Sequence, residues 1–206
     1  MMHDSNAYRT TGVDENIVNM TYKEVRRLDA GSWYSDEYKG EKVPGLREVL
    51  ELAQGKIKLN IELKPADNGE ELARKTVALI EKYNMENDCV ITSFSSSALS
   101  AAKSCDENIR VGYILSAAYG DYYDMKNIDF FSVNAAFLSK RTIDAIHNSG
   151  KQVYAWTVNN KDSIKNLTNK GVDGVITDNP VLARETIYSR DTSETIVNMI
   201  RYVFNQ

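Results

Sequence analysis

The sequence predicts an α/β fold in which helices cover a parallel sheet, and three observations support this prediction. Short apolar segments alternate with amphipathic segments from residue 57 onward. A helix, a glycine and a strand recur with a spacing of roughly 20 residues, as they do in repeated βα units. Several apolar segments are continuous, such as Cys89-Val90-Ile91, which is typical of parallel strands with helices on their outer face.

Residues 5–43 differ from the rest of the chain because they are polar and rich in aromatic side chains. A short helix is predicted at 21–28, where Thr21 and Glu24 have the spacing of a capping box. We predict that this segment is an insertion. Two interpretations of it stay open: a lid that closes over a substrate, or an irregular surface cover.

The first predicted strand covers residues 57–64. Ile61 and Leu63 point to one face, while Glu62 and Lys64 point to the other, because side chains alternate along a strand. A carboxylate and an ammonium on one face suit a site at the carboxyl end of a barrel strand. They suit a solvated face with a structural ion pair equally well.

The remaining elements follow in the same βα order. A helix is predicted near 69–84, and strands are predicted near 89–94, 110–115, 130–134, 152–158 and 173–177. Ser139 and Asn160 are predicted to cap helices that end at Gly150 and Gly171. Asn179-Pro180 then opens a further helix, with proline at its first position.

Residues 191–206 are predicted to form a separate C-terminal helix. Its apolar side chains fall on one face over 192–205, where Arg201 is the only basic residue. Packing against the domain or a partner is therefore favoured over a role at a membrane surface.

Length and composition limit the classes of function. The chain has 206 residues, a net charge of −4, 42% apolar and 26% charged residues, which indicates one ordinary globular domain. Basic residues are scattered, so a nucleic-acid partner is not expected. The apolar stretches are too short to span a membrane, and no signal peptide is expected. The two cysteines lack metal-ligand spacing, so reduced thiols in a cytosolic setting are permitted.

An ordered series of short motifs runs along the chain. It begins with His3-Asp4, Arg9–Gly12, Leu28–Trp33, Val43–Leu50 and Asn60–Lys64, and it continues with Ile91–Phe94, Ala155–Asn159 and Gly171–Pro180. Each motif alone is of low or moderate specificity. In their order and spacing over residues 3–180 they resemble the glycerophosphodiester phosphodiesterase family.

The resemblance implies a TIM (β/α)₈ barrel that hydrolyses glycerophosphodiesters to an alcohol and sn-glycerol 3-phosphate. It implies a divalent metal, Mg²⁺ or Ca²⁺, and two histidines. By position, His3 matches the second of these, a general acid or base. Glu62 matches a metal-binding carboxylate, Lys64 the cation beside the phosphate, and Trp156 an aromatic residue near the glycerol moiety.

These residue types suit the chemistry. A phosphodiester carries a negative charge that grows in the transition state, and a cation offsets it. Hard cations choose oxygen ligands, which carboxylates supply. The leaving alkoxide needs a proton, and histidine donates one readily near neutral pH.

Part of the family pattern is not found in the sequence. No His-Arg pair occurs, and no Glu-x-Asp pair precedes His3, so Glu62 is one metal ligand where the family uses three. We expect an open parallel β/α remnant of roughly six strands, lacking about the first two strands of the barrel. The expected domain is 1–190, incomplete, with 5–43 as the insertion and 191–206 as the terminal helix.

Three explanations for the shortened pattern compete: a gene fragment, which we favour; a natural, inactive homologue; and a chain that regains strands from another chain. The expected function is hydrolysis of a small-molecule glycerophosphodiester, and the alternative is a non-catalytic glycerophosphate-binding or interaction module. A related phospholipase acting on phosphoinositides is disfavoured. The expected location is the cytoplasm, or the cytoplasmic part of a membrane protein if an N-terminal domain is missing. The oligomeric state is left open.

Four candidate residues also have simpler explanations. His3 lies at a terminus, where disorder is common. Trp156 suits core packing as well as a barrel mouth. His147 lies in the last turn of a predicted helix, where it would interact with the helix dipole. Asp178 follows the last strand and suits a turn.

Overall fold

Six parallel strands form one curled sheet in the computed structural model, which describes residues 1–67, 69–117, 120 and 122–188. The strands are β1 Leu59–Leu63, β2 Cys89–Ser93, β3 Arg110–Leu115, β4 Phe130–Asn134, β5 Gln152–Trp156 and β6 Gly174–Val175. They follow one another in chain order across the sheet. This is the open half-barrel that the sequence predicts.

Helices connect the strands and cover one face of the sheet. They are α1 Tyr8–Thr11, α2 Tyr22–Val25, α3 Leu46–Ala53, α4 Gly69–Lys82, α5 Ser96–Cys105, α6 Lys140–Asn148 and α7 Lys161–Lys170, followed by helical residues 180–188. Short 3₁₀ helices lie at Ile17–Asn19, Asp36–Tyr38, Tyr122–Asp124 and Ala135–Phe137. Among the described residues, no helix combines the length and the apolar character needed to cross a membrane.

The predicted helix caps are confirmed. Ser139 accepts a hydrogen bond from the backbone N–H of Thr142, and Asn160 accepts one from that of Ser163. Gly171 ends α7 with a φ of 94°, a conformation that glycine adopts readily.

Several predicted elements are shorter than expected, among them β1, which spans Leu59–Leu63 where a strand is predicted at 57–64. The helix predicted at 21–28 is the single turn of α2, although its capping box between Thr21 and Glu24 is present. The last two strands end early, at Trp156 and Val175. Beyond Trp156 and Val175, isolated backbone hydrogen bonds still join the two segments. One of them runs from the Val158 N–H to the Ile176 carbonyl at 2.9 Å.

The helix-covered face of the sheet carries the main hydrophobic core. Ile61, Ile91, Val111, Val133 and Val153 come from five adjacent strands and are almost completely buried beneath the helices. Burial of such side chains stabilises each by roughly 1.5–3 kcal/mol. This core fixes the register of the strands and therefore the position of their carboxyl ends.

The concave face is closed by aromatic rings that lie across the strands. Phe130 is fully buried, and its ring centroid lies 4.6 Å from that of Tyr154. A Cβ atom on Gly112 would lie 2.1 Å from the Phe130 ring, and one on Gly174 would lie 3.1 Å from Tyr154. The two glycines leave the space that the rings occupy.

The N-terminal segment packs as a separate layer beside the sheet. Ala7, Leu28 and Val43 form its small buried cluster. Arg26 attaches it to α3, donating to the Val43 carbonyl and forming a 2.8 Å ion pair with Glu48. Whether residues 5–43 act as a lid stays a prediction. The helix predicted at 191–206 lies outside the described residues.

Candidate functional site

The candidate site lies at the carboxyl end of β1. Ile61 and Leu63 point into the helix-covered core, so Glu62 and Lys64 face the other way, as the alternation predicts. Glu62 Oε2 lies 3.8 Å from Lys64 Nζ, and each side chain is about a third exposed. An ion pair of this length and exposure is weak, so both groups are accessible to a ligand.

The N-terminal segment brings His3 to this strand end. Lys64 Nζ donates a hydrogen bond to the His3 carbonyl at 3.1 Å. A cleft of about 470 Å³ lies between them, lined by the first five residues, Pro65 and apolar side chains that include Ile17 and Met20. Of the three residues that the sequence selects here, Lys64 thus contacts both the Glu62 carboxylate and the backbone of His3.

The His3 ring is 74% exposed and is held through one nitrogen. Its Nδ1 lies 2.8 Å from Asp4 Oδ1. The other carboxylate oxygen of Asp4 accepts a hydrogen bond from Arg9 Nε at 2.5 Å. The hydrogen bond from Arg9 has the largest effect on the pKa of Asp4, and the one from His3 has the next largest. Together they lower this pKa to about 2.

Trp156 lies at the carboxyl end of β5 and reaches the strand end of β1 through an intermediate ring. Its Nε1 donates to the Ser132 carbonyl at 2.9 Å. Its ring meets Phe94 edge to face, with centroids 6.3 Å apart. Phe94 in turn lines a cleft with Glu62 and Lys64. Trp156 is therefore an outer wall of this region.

Two candidate residues lie elsewhere or are committed to local structure. His147 Nε2 lies 2.9 Å from Asp173 Oδ2, at the opposite end of the sheet. The helix dipole alone was thus an incomplete interpretation of His147, because it overlooked this partner. Asp178 accepts a hydrogen bond from Asn159 at 2.7 Å and precedes the capping residue Asn179, as expected for a turn.

Three neighbours of the site were not selected from the sequence: Asp4, Arg9 and Phe94. All three lie inside the quoted motifs, which was the available signal. Their contacts depend on how the N-terminal segment folds back onto the sheet, and side-chain spacing does not reveal that.

The donor set at this strand end does not suit a divalent cation. Ca²⁺ and Mg²⁺ take six or more oxygen ligands, several of them carboxylates. Here Glu62 faces the ammonium of Lys64, while Asp4 is engaged by Arg9 and His3. Over the described ranges, no three acidic, histidine or cysteine side chains gather as metal ligands. These residues alone do not fit the cation.

Comparison with known proteins gives consistent results. A family model described as the glycerophosphoryl diester phosphodiesterase family matches residues 1–182. A glycerophosphodiester phosphodiesterase of Caldanaerobacter subterraneus is 27% identical, over 98% of this chain and 79% of its own.

Two solved structures have the same architecture. An Oleispira antarctica phosphodiesterase in complex with the product sn-glycerol-3-phosphate is 30% identical, with a TM-score of 0.79, covering 90% of this chain and 78% of the other. A glycerophosphodiester phosphodiesterase of Parabacteroides distasonis, 21% identical, has a TM-score of 0.80 over 92% of this chain and 78% of its own, a likeness of fold.

Proposed function

Because the chain belongs to the glycerophosphodiester phosphodiesterase family, a family of hydrolases, we propose that it acts on glycerophosphodiesters and releases an alcohol and sn-glycerol 3-phosphate. The observation that carries the proposal is the position of Lys64. Its ammonium lies between the Glu62 carboxylate and the His3 backbone. A cation and a carboxylate thus lie beside the backbone of a histidine at the carboxyl end of a strand, where sites of barrel enzymes lie.

Lys64 is the proposed phosphate contact. Its ammonium forms a long ion pair with Glu62 at 3.8 Å, which an anionic ligand can replace without uncovering a buried charge. A phosphate bound there would have its charge offset, and this stabilises the additional charge of the transition state. Phe94 and Trp156 supply an apolar wall for the glycerol carbons.

His3 is the proposed proton carrier. Since Nδ1 faces Asp4, Nε2 is the nitrogen that can exchange a proton with the leaving alkoxide or with attacking water. In the family, a divalent metal would supply further charge stabilisation. The described residues do not form that metal site on their own, so the proposed roles of Lys64 and His3 are limited to phosphate binding and proton transfer.

The second candidate is a glycerophosphate-binding module without turnover. It is favoured by the ion pair of Glu62, because this carboxylate faces a lysine and not a second carboxylate. On this alternative, Lys64, Phe94 and Trp156 keep their binding roles, while His3 moves no proton.

Paired assays separate the two candidates. Hydrolysis of glycerophosphocholine is measured with added Mg²⁺ or Ca²⁺, and binding of sn-glycerol 3-phosphate is measured by calorimetry. Turnover supports the hydrolase, and binding without turnover supports the module. If the chain neither binds nor turns over, both are rejected.

Lys64→Met tests the shared phosphate contact. Because a charge-assisted contact is lost, binding of sn-glycerol 3-phosphate should weaken at least tenfold. Lys58→Met is the matched control. Lys58 lies just before the same strand at its other end, is 80% exposed and forms a similar long ion pair with Asp88 at 3.9 Å. Equal losses in the two variants would contradict the assignment.

A further inference from the structure

We propose that Arg9, braced by the ring of Trp33, is a positioning residue for His3. It holds Asp4 against Nδ1 of the imidazole, so that Nε2 remains the nitrogen that exchanges protons. This inference rests on the proposed role of His3 and deepens it. It also gives a physical role to two sequence motifs, Arg9–Gly12 and Leu28–Trp33, that the site does not otherwise use.

The first step is the division of the Asp4 carboxylate between two partners. Oδ1 lies 2.8 Å from His3 Nδ1, and Oδ2 lies 2.5 Å from Arg9 Nε. An ionised carboxylate only accepts hydrogen bonds, so His3 must carry its proton on Nδ1 when it is neutral. The ion pair with Arg9 lowers the pKa of Asp4 to about 2, and the carboxylate therefore stays ionised throughout the neutral range.

The second step is the brace. The Arg9 guanidinium lies 5.5 Å from the centroid of the Trp33 ring, within the range of a cation–π contact. An exposed arginine–carboxylate pair alone restrains its partners weakly, because both side chains keep alternative rotamers. A ring beneath the guanidinium restricts those rotamers and fixes where Nε points.

The third step is the loop that holds Trp33. Its indole N–H donates to the Ala30 carbonyl at 2.9 Å. Asp29 accepts hydrogen bonds from the backbone N–H groups of Gly31, Ser32 and Gly40 and from the Ser32 hydroxyl. These hydrogen bonds hold the pKa of Asp29 far below its usual range, and those from Ser32 have the largest effect. The four hydrogen bonds to Asp29 thus fix the shape of the loop that carries Trp33.

The competing explanation is that Arg9 and Asp4 form an ordinary surface ion pair. Such a pair would contribute a little to stability and nothing to the tautomer of His3. The tautomer is therefore the readout that separates the two explanations, and it needs no turnover.

Nitrogen NMR of the imidazole rings provides the test. The chain has two histidines, and they use opposite nitrogens: His3 faces Asp4 through Nδ1, and His147 faces Asp173 through Nε2. About two pH units above the usual histidine pKa, His3 should be mainly Nδ1–H and His147 mainly Nε2–H. His147 then serves as an internal control in every variant.

Arg9→Met keeps an apolar stem on Trp33 and removes the charge. The fraction of neutral His3 in the Nδ1–H form should then fall most of the way to that of a histidine without a partner on Nδ1. Asp4→Ala should have the same effect. Arg9→Lys and Trp33→Phe should give intermediate losses, and either suffices if Arg9→Met does not fold. Arg74→Met removes a similar arginine–glutamate pair on α4 and should leave both histidines unchanged.

A His3 tautomer that Arg9→Met leaves unchanged would overturn the proposal, even if Asp4→Ala alters it. Where turnover is measured, Arg9→Met should lower kcat about tenfold, with KM changed less. Absence of turnover in the wild type would reject the proposed hydrolysis, while the tautomer would still decide the role of Arg9.

Discussion

At the amino end of the sheet, Asp129 and Asp173 each accept a hydrogen bond from a backbone N–H of the neighbouring strand. Each also faces a basic side chain. Asp129 lies 2.7 Å from the Val111 nitrogen and 3.0 Å from Lys103 Nζ, and Asp173 has equivalent contacts. At the carboxyl end, Glu62 faces Lys64 at 3.8 Å.

The difference in the number and length of these contacts indicates which charged side chains maintain the structure. A carboxylate that closes a strand end with short hydrogen bonds is committed, and removing it leaves unpaired groups behind. A carboxylate in one long ion pair is available to a ligand. By this criterion the charges at the amino end maintain the sheet, while those at the carboxyl end are accessible to a ligand.

The largest expected effect is on turnover at the carboxyl end. Glu62→Ala should lower hydrolysis of glycerophosphocholine about a hundredfold, because Lys64, the proposed phosphate contact, loses the carboxylate that orients its ammonium. The free energy of unfolding should change by less than about 0.5 kcal/mol. Rates and urea unfolding curves measure both quantities.

Asp88→Ala is the matched control at the other end of β1. Asp88 forms an ion pair of nearly the same length, 3.9 Å, with Lys58. Its removal should leave turnover intact. If Glu62→Ala hydrolyses substrate normally, Glu62 is not part of the reaction, and the contrast between the two ends fails.

The next largest effect concerns the aromatic rings of Phe130 and Tyr154, which pack against each other across the strands. Gly112→Ala should lower the free energy of unfolding by about 3 kcal/mol, because its Cβ would lie 2.1 Å from the buried Phe130 ring. Gly174→Ala is the comparison, since its Cβ meets Tyr154 at 3.1 Å, and it should cost less than half as much. Thermal or urea unfolding gives the values, and equal costs would show that Phe130 can move aside.

Substitutions at the amino end of the sheet should change the free energy of unfolding and not ligand binding. Asp129→Ala should lower the free energy of unfolding by about 2 kcal/mol, because the Val111 N–H and the largely buried Lys103 lose their partner. Asp173→Ala should cost about 1 kcal/mol, since a backbone N–H loses its partner but the side chain of His147 is more exposed than that of Lys103. Binding of sn-glycerol 3-phosphate should be unchanged in both. A loss of binding at constant stability would break the comparison.

Local signals predicted most of the fold. The six strands and the caps at Ser139 and Asn160 follow from apolar periodicity and from side chains that bond to nearby backbone, both short-range effects. The ends of the last two strands were extended too far, because pairing depends on a neighbouring strand and not on apolar character alone.

Contacts between distant segments were the unpredictable part. The sequence selects Glu62, Lys64 and His3 as site residues through motif order, and the structure places Lys64 between the Glu62 carboxylate and the His3 backbone. It did not reveal that Phe130 fills the space above Gly112, or that Asp173 faces His147 26 residues away. Both depend on register between strands, which the spacing within one strand does not encode.

The smallest expected effect is an acid titration at the N-terminal segment. The hydrogen bond from Arg9, followed by that from His3, lowers the pKa of Asp4 from 3.8 to about 2. A lowered carboxyl pKa means that the contribution is fully present above the unfolded pKa and is lost as pH falls through the folded value. The Asp4 contacts should therefore be intact at about pH 4 and lost on approach to about pH 2.

The carboxyl carbon shift of Asp4 measures this midpoint. In Arg9→Met it should rise towards the value of an ordinary aspartate, while in Arg74→Met it should stay low. A wild-type midpoint near 4 would mean that neither partner holds the carboxylate in solution. Asp4 would then belong with the loosely held groups of the carboxyl end, and the orientation of His3 would have to come from bound substrate instead of from the free protein.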